Sequence, residues 1–318
     1  MSSSPRRIPI SEHPRPELAR LVRAAEAVIL GKGHAIRLAL CCLLARGHLL
    51  IEDLPGMGKT TLAQVLARLL GLQFSRIQFT SDLLPADILG TSIFARSRDS
   101  FEFHPGPIFS QLILADEINR ATPKTQSALL EAMEERQVTV EGTPHALPEP
   151  FFVVATQNPA HHVGTFPLPE SQLDRFLMRI RLGYPDAGDE KALLAGEDRR
   201  TLLHHLEPTL EPTGLVGLQE EVDRIHVAEP LVGYCQDILA FSRQSSRFAH
   251  GLSPRAGIGL VRSARAWALL AGREYAIPED VQAVAPACLP HRLSAASEGF
   301  AEDPDGVARY LLDAVEAP

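Results

Sequence analysis

The sequence contains 318 residues, enough for two domains of roughly 150 residues each, and 45% of the residues are hydrophobic and 22% charged. This composition is typical of a globular protein and excludes a disordered tail protein. The formal net charge is −8 and 6% of the residues are aromatic. These values argue against a general nucleic-acid coat and against a base-stacking surface.

The N-terminal segment and the cysteines favour a cytoplasmic protein. Residues 1–16 are rich in Ser, Pro and Arg and are predicted to form a flexible arm. Arg6 and Arg7 precede a polar, proline-containing stretch rather than an apolar one, so no secretory signal is expected. The longest apolar stretch, residues 35–51, contains two arginines, and we expect no membrane insertion. Buried thiols in a reducing compartment are the simplest interpretation of the four cysteines, Cys41, Cys42, Cys235 and Cys288.

Alternating helical and strand-length apolar patterns over residues 17–185 predict an α/β domain with a parallel sheet. Two helices, at about 17–30 and 35–45, are separated by Gly31, Lys32 and Gly33. A hydroxyl cap at Thr122 is predicted to open a later helix. In chain order, the further elements are a strand at 48–51, a helix at 62–70, strands at 74–79 and 112–115, a helix at 123–136 and a strand at 151–155.

The C-terminal part, residues 186–318, has a different pattern. From residue 187 it shows helical periodicity and no convincing strand, which predicts a smaller all-helical domain. The expected helices lie at about 189–204, 213–227, 231–247, 254–271, 278–288 and 304–315.

A glycine-bearing loop follows the first strand and leads directly into a helix. The N–H groups of Gly56, Gly58 and the helix N-terminus can wrap a phosphate chain. Lys59 can reach the β- and γ-phosphates, and the hydroxyl of Thr60 can ligate Mg²⁺. Asp53 stands where the full phosphate-loop pattern has its first glycine. A chance Gly-Lys-Thr is common, but one between a strand and a helix is not.

Polar side chains follow two later apolar strands. Asp116 and Glu117 end one strand, at the edge where open α/β sheets bind ligands. We expect Asp116 to hold Mg²⁺ through water and Glu117 to polarise the attacking water. Asn158 ends the next strand and can hold that water or touch the γ-phosphate. The plainer alternatives are an ordinary acidic strand end and a turn residue before Pro159.

Together these segments resemble the AAA+ ATPases, and within them the MoxR group, over about residues 31–292. The resemblance implies a P-loop α/β domain (residues 17–185) with a parallel sheet flanked by helices, a helical lid (186–318) and ATP bound between them. It also implies assembly into a ring, usually a hexamer. The matching segments are 52–60 (EDLPGMGKT), 114–121 (LADEINRA), 123–133 (PKTQSALLEAM), 155–159 (ATQNP), 173–176 (LDRF) and 252–255 (LSPR).

The resemblance also assigns roles to single residues. Asn158 matches the first sensor, Arg255 the second sensor, and Arg175 the arginine finger that acts on the ATP of the neighbouring subunit. A salt bridge within the same subunit, to Asp174 or Glu170, is the alternative for Arg175. The resemblance implies a nucleotide-binding set of Gly31, Pro55, Gly56, Met57, Gly58, Lys59, Thr60 and Thr61, with Gly31 in the adenine segment, where Lys32 and Gly33 depart from the usual residues.

Two inserted hairpins are a further implication of the resemblance. One comprises residues 93–108, and the other has strands at 137–140 and 145–147 around a turn at 141–144. Such hairpins grip a partner in ring ATPases, although a surface ribbon without contacts is the alternative.

The family implies a chaperone-like ATPase that remodels or matures a client protein complex, for example by cofactor or metal insertion. A separate protein with a von Willebrand factor A domain is the expected partner. A nucleic-acid-dependent motor is the alternative function, and it predicts basic inserts. The first insert is balanced, because Arg96 and Arg98 face Asp99 and Glu102, so no nucleic-acid partner is expected. A nucleotide-binding module without turnover is disfavoured by the combination of Lys59, Glu117, Asn158 and Arg175.

Overall fold

The computed structural model describes residues 15–158, 164–196, 199–295 and 304–318, so residues 1–14 of the predicted arm lie outside it. The chain forms two compact units. We call the described residues of Leu21–Leu218 the sheet unit, and residues 15–20 with the described residues of Gln219–Pro318 the helical unit. The two units meet in the sequence after Leu218. The domain boundary expected after residue 185 stays a prediction.

Helices and strands alternate along the sheet unit, and helices dominate the helical unit. The helices are α1 (Pro16–Val28), α2 (Gly33–Leu44), α3 (Lys59–Leu69), α4 (Pro85–Leu89), α5 (Pro123–Glu135), α6 (Glu170–Leu173), α7 (Ala187–Ala195), α8 (Arg199–His204), α9 (Pro212–Arg224), α10 (Glu229–Gln244), α11 (Pro254–Leu270), α12 (Pro278–Cys288) and α13 (Pro304–Asp313). The strands are β1 (Leu49–Glu52), β2 (Phe74–Gln78), β3 (Gly90–Ala95), β4 (Ser100–Pro105), β5 (Leu112–Asp116), β6 (Gln137–Val140), β7 (Thr143–Ala146), β8 (Phe152–Gln157), β9 (Met178–Ile180), β10 (Phe248–His250) and β11 (Ser294–Ala295).

The centre of the sheet unit is a parallel sheet with the strand order β2-β5-β8-β1-β9. All five residues of β5 are buried, as the continuous apolar run predicts for a strand covered on both faces. Leu114 pairs with Val154, and Leu50 with Ala155, so β5, β8 and β1 lie in close register. Because these strands are parallel, the residues that follow each of them meet at one edge of the sheet.

A buried histidine joins the sheet to α5. Nδ1 of His48 accepts a hydrogen bond from the backbone N–H of Val153 at 3.1 Å, which leaves Nε2 to donate to the carbonyl of Met133 at 3.2 Å. The imidazole therefore satisfies one backbone group of β8 and one of α5 inside the core.

Several expectations about elements are corrected. Strand β9 was not predicted, because three residues are too few to show periodicity. The prediction of no strands after residue 187 is wrong, since β10 and β11 form an antiparallel pair in which Phe248 is buried. The single helix predicted at 189–204 is divided into α7 and α8, because Gly196 adopts an extended conformation directly after α7. The Thr122 hydroxyl bonds the Thr125 hydroxyl instead of capping a backbone amide of α5.

Both inserted hairpins are present. In the first, β3 pairs with β4, and Phe94 lies opposite Phe101. In the second, β7 begins at Thr143, two residues earlier than expected, because Glu141 and Gly142 form a two-residue turn with positive φ at both positions. The aromatic rings of Phe103 and His145 stack with their centroids 4.0 Å apart, so the two hairpins contact each other.

The helical unit has a core of its own, in which α11 packs on α12. Asp280 is fully buried and pairs with Arg273, whose Nη1 lies 2.7 Å from Oδ2. All four cysteines of the chain are buried, and burial raises the pKa of Cys235 to about 11. Within the described ranges, no helix is both long and apolar enough to cross a membrane.

Candidate active site

The loop between β1 and α3 has the shape of an anion site. Gly56 and Gly58 have φ values of 84° and 87°, a conformation that favours glycine. A Cβ built on either glycine would meet no atom within 4 Å, so this side of the loop is open. No side chain caps the N-terminus of α3 at Gly58, and its first amide groups are available to a phosphate. Lys59, Thr60 and Thr61 form the first turn of α3, after Pro55 and Met57 in the loop.

Lys59 is held inside this loop. Its side-chain ammonium donates hydrogen bonds to the carbonyl of Asp53, to the carbonyl of Leu54 at 3.3 Å and to Oδ1 of Asn158 at 3.1 Å. An ammonium group has three donors, so each has an acceptor here. Burial lowers the pKa of Lys59, and nearby carboxylates, Asp53 foremost, partly offset that shift.

A threonine of β8 fixes both carboxylate-bearing residues at the end of β5. The hydroxyl of Thr156 donates to Oδ1 of Asp116 at 2.6 Å and accepts from the backbone N–H of Glu117 at 2.9 Å. Glu117 has a φ of 58°, a left-handed conformation that is uncommon for a residue with a side chain. Sequence reasoning missed Thr156, although a hydroxyl inside an apolar strand was a visible signal.

A cation from β2 contacts the outer oxygen of Asp116. Arg76 donates to Oδ2 from Nε at 3.1 Å and from Nη2 at 2.6 Å. Nη2 also bonds Oε1 of Gln78 at 2.7 Å. Gln78 lies opposite Asp116 in the register of β2 and β5. The sequence offered only the alternation of polar residues in this strand, so both contacts were missed.

The carboxylate of Glu117 accepts three side-chain hydrogen bonds. Oε1 accepts from Nδ2 of Asn158 at 3.0 Å, and Oε2 accepts from Arg120 at 3.0 Å and from Gln78 at 3.2 Å. Asn158 therefore bonds Glu117 through its amide nitrogen and Lys59 through its amide oxygen. The structure thus brings together three side chains, from the first residue of α3 and from the ends of β5 and β8.

Three further predicted site residues, Arg175, Arg255 and Gly31, lie in other segments of the chain. Nε of Arg175 lies 3.1 Å from Oε2 of Glu134 in α5. Arg255 is exposed at the first turn of α11 in the helical unit, after the Ser253 cap. Gly31 has a φ of 70° and lies against Asp189, whose Oδ2 would be 2.2 Å from a Cβ at residue 31.

Comparison with known proteins places the chain in a family. The profile of the ATPase family associated with various cellular activities (AAA) matches residues 48–178, and that of the AAA lid domain matches residues 240–309. The chain is 40% identical to Chaperone MoxR1 of Mycobacterium tuberculosis, over 95% of this chain and 82% of that protein. It is 34% identical to Protein MoxR of Paracoccus denitrificans, over 92% and 93% of the two chains. The chain belongs to the MoxR group of AAA+ ATPases.

Two further relatives cover almost the whole length of this MoxR-group chain. The uncharacterized protein YeaC of Bacillus subtilis is 45% identical over 95% of each chain. The crystal structure of a candidate ATPase from Cytophaga hutchinsonii has a TM-score of 0.85 and 35% identity, and the likeness covers 96% of each chain. The predicted AAA+ fold class, with a parallel sheet flanked by helices and a lid domain, is confirmed.

The donors near the loop fit Mg²⁺, which the AAA+ family generally uses. Asp116 supplies carboxylate oxygens and Thr60 a hydroxyl, both of which are hard oxygen ligands. Among the residues that the structure describes, no cluster of three or more His, Cys, Asp or Glu side chains is suited to a metal ion. This sparse donor set fits a metal that keeps several waters and is bound mainly through substrate phosphates.

Proposed function

We propose that this MoxR-group protein hydrolyses ATP with the help of Mg²⁺ at the carboxyl edge of its parallel sheet. The observation that carries the proposal is the continuous hydrogen-bonded chain from Lys59 through Asn158 to Glu117, directly beside the open glycine loop. It combines a phosphate-binding cation, a neutral amide and a carboxylate. Phosphoryl transfer requires this combination of positioning and charge compensation.

Lys59, Asn158 and Glu117 each have a distinct role in the proposed mechanism. Lys59 and the amides of the first turn of α3 bind the phosphate oxygens. Glu117 orients the attacking water and accepts its proton, while Asn158 fixes the Glu117 carboxylate through Oε1. Asp116 and Thr60 would hold the metal ion, which when bound supplies positive charge that neutralises the reacting phosphate.

We further propose that the active form is a ring, in which Arg175 of one subunit stabilises the charge that develops at the neighbouring site. The ion pair with Glu134 holds the Arg175 side chain only weakly, because the side chains of Arg175 and Glu134 are 29% and 36% exposed. Such exposed ion pairs contribute about 0–1 kcal/mol, so an incoming phosphate can displace the carboxylate. The hexamer and the second-sensor role of Arg255 rest on the family resemblance.

The proposed client is a protein complex in the cytoplasm, which the chain remodels or matures together with a von Willebrand factor A domain protein. The exposed rings of Phe94 and Phe101 pack edge to face on the β3–β4 hairpin, with centroids 5.3 Å apart. Arg98 on the same hairpin pairs with Glu102 at 2.8 Å. An apolar, charge-balanced hairpin favours a protein client over the alternative, a nucleic-acid motor.

The decisive experiment separates binding from hydrolysis with Glu117→Gln. The amide keeps the size of the side chain but loses the basicity that activates water, so we expect ATP binding to persist and hydrolysis to fall by about a hundredfold or more. Glu207→Gln, at an exposed position in the same unit, is the matched control. Hydrolysis near the wild-type rate in Glu117→Gln would contradict the assignment.

The ATP-loaded Glu117→Gln protein also tests the proposed partners. We expect it to retain the client complex in a pull-down. For the wild-type protein, we expect ATPase activity to be independent of added DNA. Stimulation by DNA that declines with increasing salt would favour the nucleic-acid motor instead.

A further inference from the structure

Asp53 joins the phosphate loop to a distant segment of the chain. Its side chain is buried, and Oδ1 accepts from the backbone N–H of Leu54 at 2.8 Å. Oδ2 accepts from the backbone N–H groups of Leu182 at 2.7 Å and Gly183 at 2.6 Å. These two amides follow β9, about 130 residues further along the chain. One carboxylate therefore joins the start of the loop to the segment after the edge strand.

The Leu182–Gly183 segment, which Asp53 contacts, is held by further bonds. β9 pairs with β1 in the central sheet, and the side chain of Lys32 donates to the carbonyl of Tyr184 at 2.8 Å. The carboxylate is therefore bonded to a rigid part of the sheet unit rather than to a loop that would move with it.

The position of Lys59 depends on the same residues. Two of its three acceptors are the carbonyls of Asp53 and Leu54, which are the residues that the carboxylate holds. We propose that Asp53 is a positioning residue, which ties the phosphate loop to the Leu182–Gly183 segment and thereby prepares the loop and Lys59 for the polyphosphate of ATP. This inference rests on the proposed function.

Because Asp53 is charged, the proposal and simple electrostatics predict opposite changes in ATP affinity when its carboxylate is removed. A carboxylate beside a phosphate site repels the ligand, so Coulomb's law alone predicts tighter ATP binding when it is removed. These hydrogen bonds of Asp53 to Leu182 and Gly183 are here called the tether. When the tether is lost, ATP itself must order the loop on binding. Fixing the backbone of one residue costs about 1–2 kcal/mol, which corresponds to roughly a five- to thirtyfold loss in affinity. The tether therefore predicts weaker binding where simple electrostatics predicts stronger binding.

The test uses Asp53→Gly, which restores the usual first glycine of the loop, and Asp53→Asn, which keeps the size of the side chain but directs an amide N–H₂ toward backbone donors. Asp82→Gly is the matched control, since Asp82 is fully exposed in the same unit. The Kd for Mg-ATP is measured by calorimetry well below the unfolding temperature. Amide hydrogen exchange is measured at Leu182 and Gly183 in the nucleotide-free proteins.

We expect both Asp53 variants to exchange faster at Leu182 and Gly183 and to bind Mg-ATP about tenfold more weakly, with the control unchanged. An affinity equal to or higher than that of the wild type in a folded variant would overturn the proposal. Unchanged protection at the two amides would also overturn it. If the wild-type protein fails to bind ATP, the proposed function fails, whereas the exchange measurement still decides whether the tether exists. If Asp53→Gly does not fold, Asp53→Asn carries the test.

Discussion

Replacing Lys59 with alanine removes the side-chain cation of the phosphate loop. Lys59 is buried, and its ammonium makes three hydrogen bonds, one of them to the Asn158 amide that also holds Glu117. A hydrogen bond to a charged group contributes about 1.5–3 kcal/mol, which corresponds to roughly a ten- to 150-fold change in affinity. We expect the Kd for Mg-ATP to rise by about a hundredfold in Lys59→Ala, because at least one such bond to phosphate is lost.

The pKa of Lys59 adds a second signature to this prediction. Burial lowers its pKa below 10.5, so the ammonium loses its proton at a lower pH than an exposed lysine does. The charged form exists below the pKa. Affinity for ATP should therefore fall as the pH rises through that value, with a midpoint below 10.5. Lys59→Ala should lack this step.

Calorimetric titration of ATP across pH 7–10 measures both effects, and circular dichroism verifies that the variant is folded. Lys124→Ala, which removes an exposed lysine of α5, controls for the loss of one positive charge. Unchanged ATP affinity in folded Lys59→Ala would refute the assignment of the phosphate loop. An identical alkaline step in the wild type and the variant would show that another group titrates.

Three further changes test other parts of the structure. Arg76→Met removes the guanidinium that would compete with Mg²⁺ for the Asp116 carboxylate, so the Mg²⁺ concentration for half-maximal ATP binding should fall severalfold. An unchanged Mg²⁺ concentration would exclude this competition. His48→Phe leaves one backbone N–H and one carbonyl unpaired in the core, so urea unfolding should show a loss of about 2–6 kcal/mol, and a loss well under 1 kcal/mol would contradict the bridging role. Arg175→Ala and Lys59→Ala proteins should each be nearly inactive, yet recover ATPase activity when mixed; assembled mixtures that stay inactive would show that the finger does not act in trans.

The sequence was sufficient to predict the positions of Lys59, Asp116 and Glu117 because each follows an apolar run of strand length. Runs of this kind indicate parallel strands, and the ends of parallel strands meet at one edge of a sheet. Asn158 was predicted from the same pattern together with the family resemblance, although for this residue alone a turn before proline was the favoured interpretation. The hydrogen bonds of Asn158 to Lys59 and Glu117 favour the interpretation as a site residue.

The residues that position this edge were not predictable in the same way. Arg76 and Gln78 contact the carboxylates because β2 pairs with β5, and strand order is not encoded in the pattern of one strand. Glu134 reaches Arg175 from α5, a contact that depends on the folded chain. Asp53 was visible only as a departure from the usual loop glycine. Its purpose depends on two amides about 130 residues away.

A chain with a formal net charge of −8 needs a local arrangement to bind a polyphosphate. Three carboxylates interact electrostatically with Lys59, and each accepts hydrogen bonds from donors of the chain itself. The donors are backbone amides for Asp53, a hydroxyl and a guanidinium for Asp116, and two side-chain amides and a guanidinium for Glu117. Their charge is therefore largely compensated where it stands, while the loop offers an ammonium and backbone N–H groups. We therefore expect the affinity for ATP to depend on how firmly these internal donors hold the carboxylates more than on the overall charge. Substitutions of Asp53 and Arg76 should consequently change nucleotide and metal binding more than the removal of an exposed charge that contacts none of these carboxylates, such as that of Lys124.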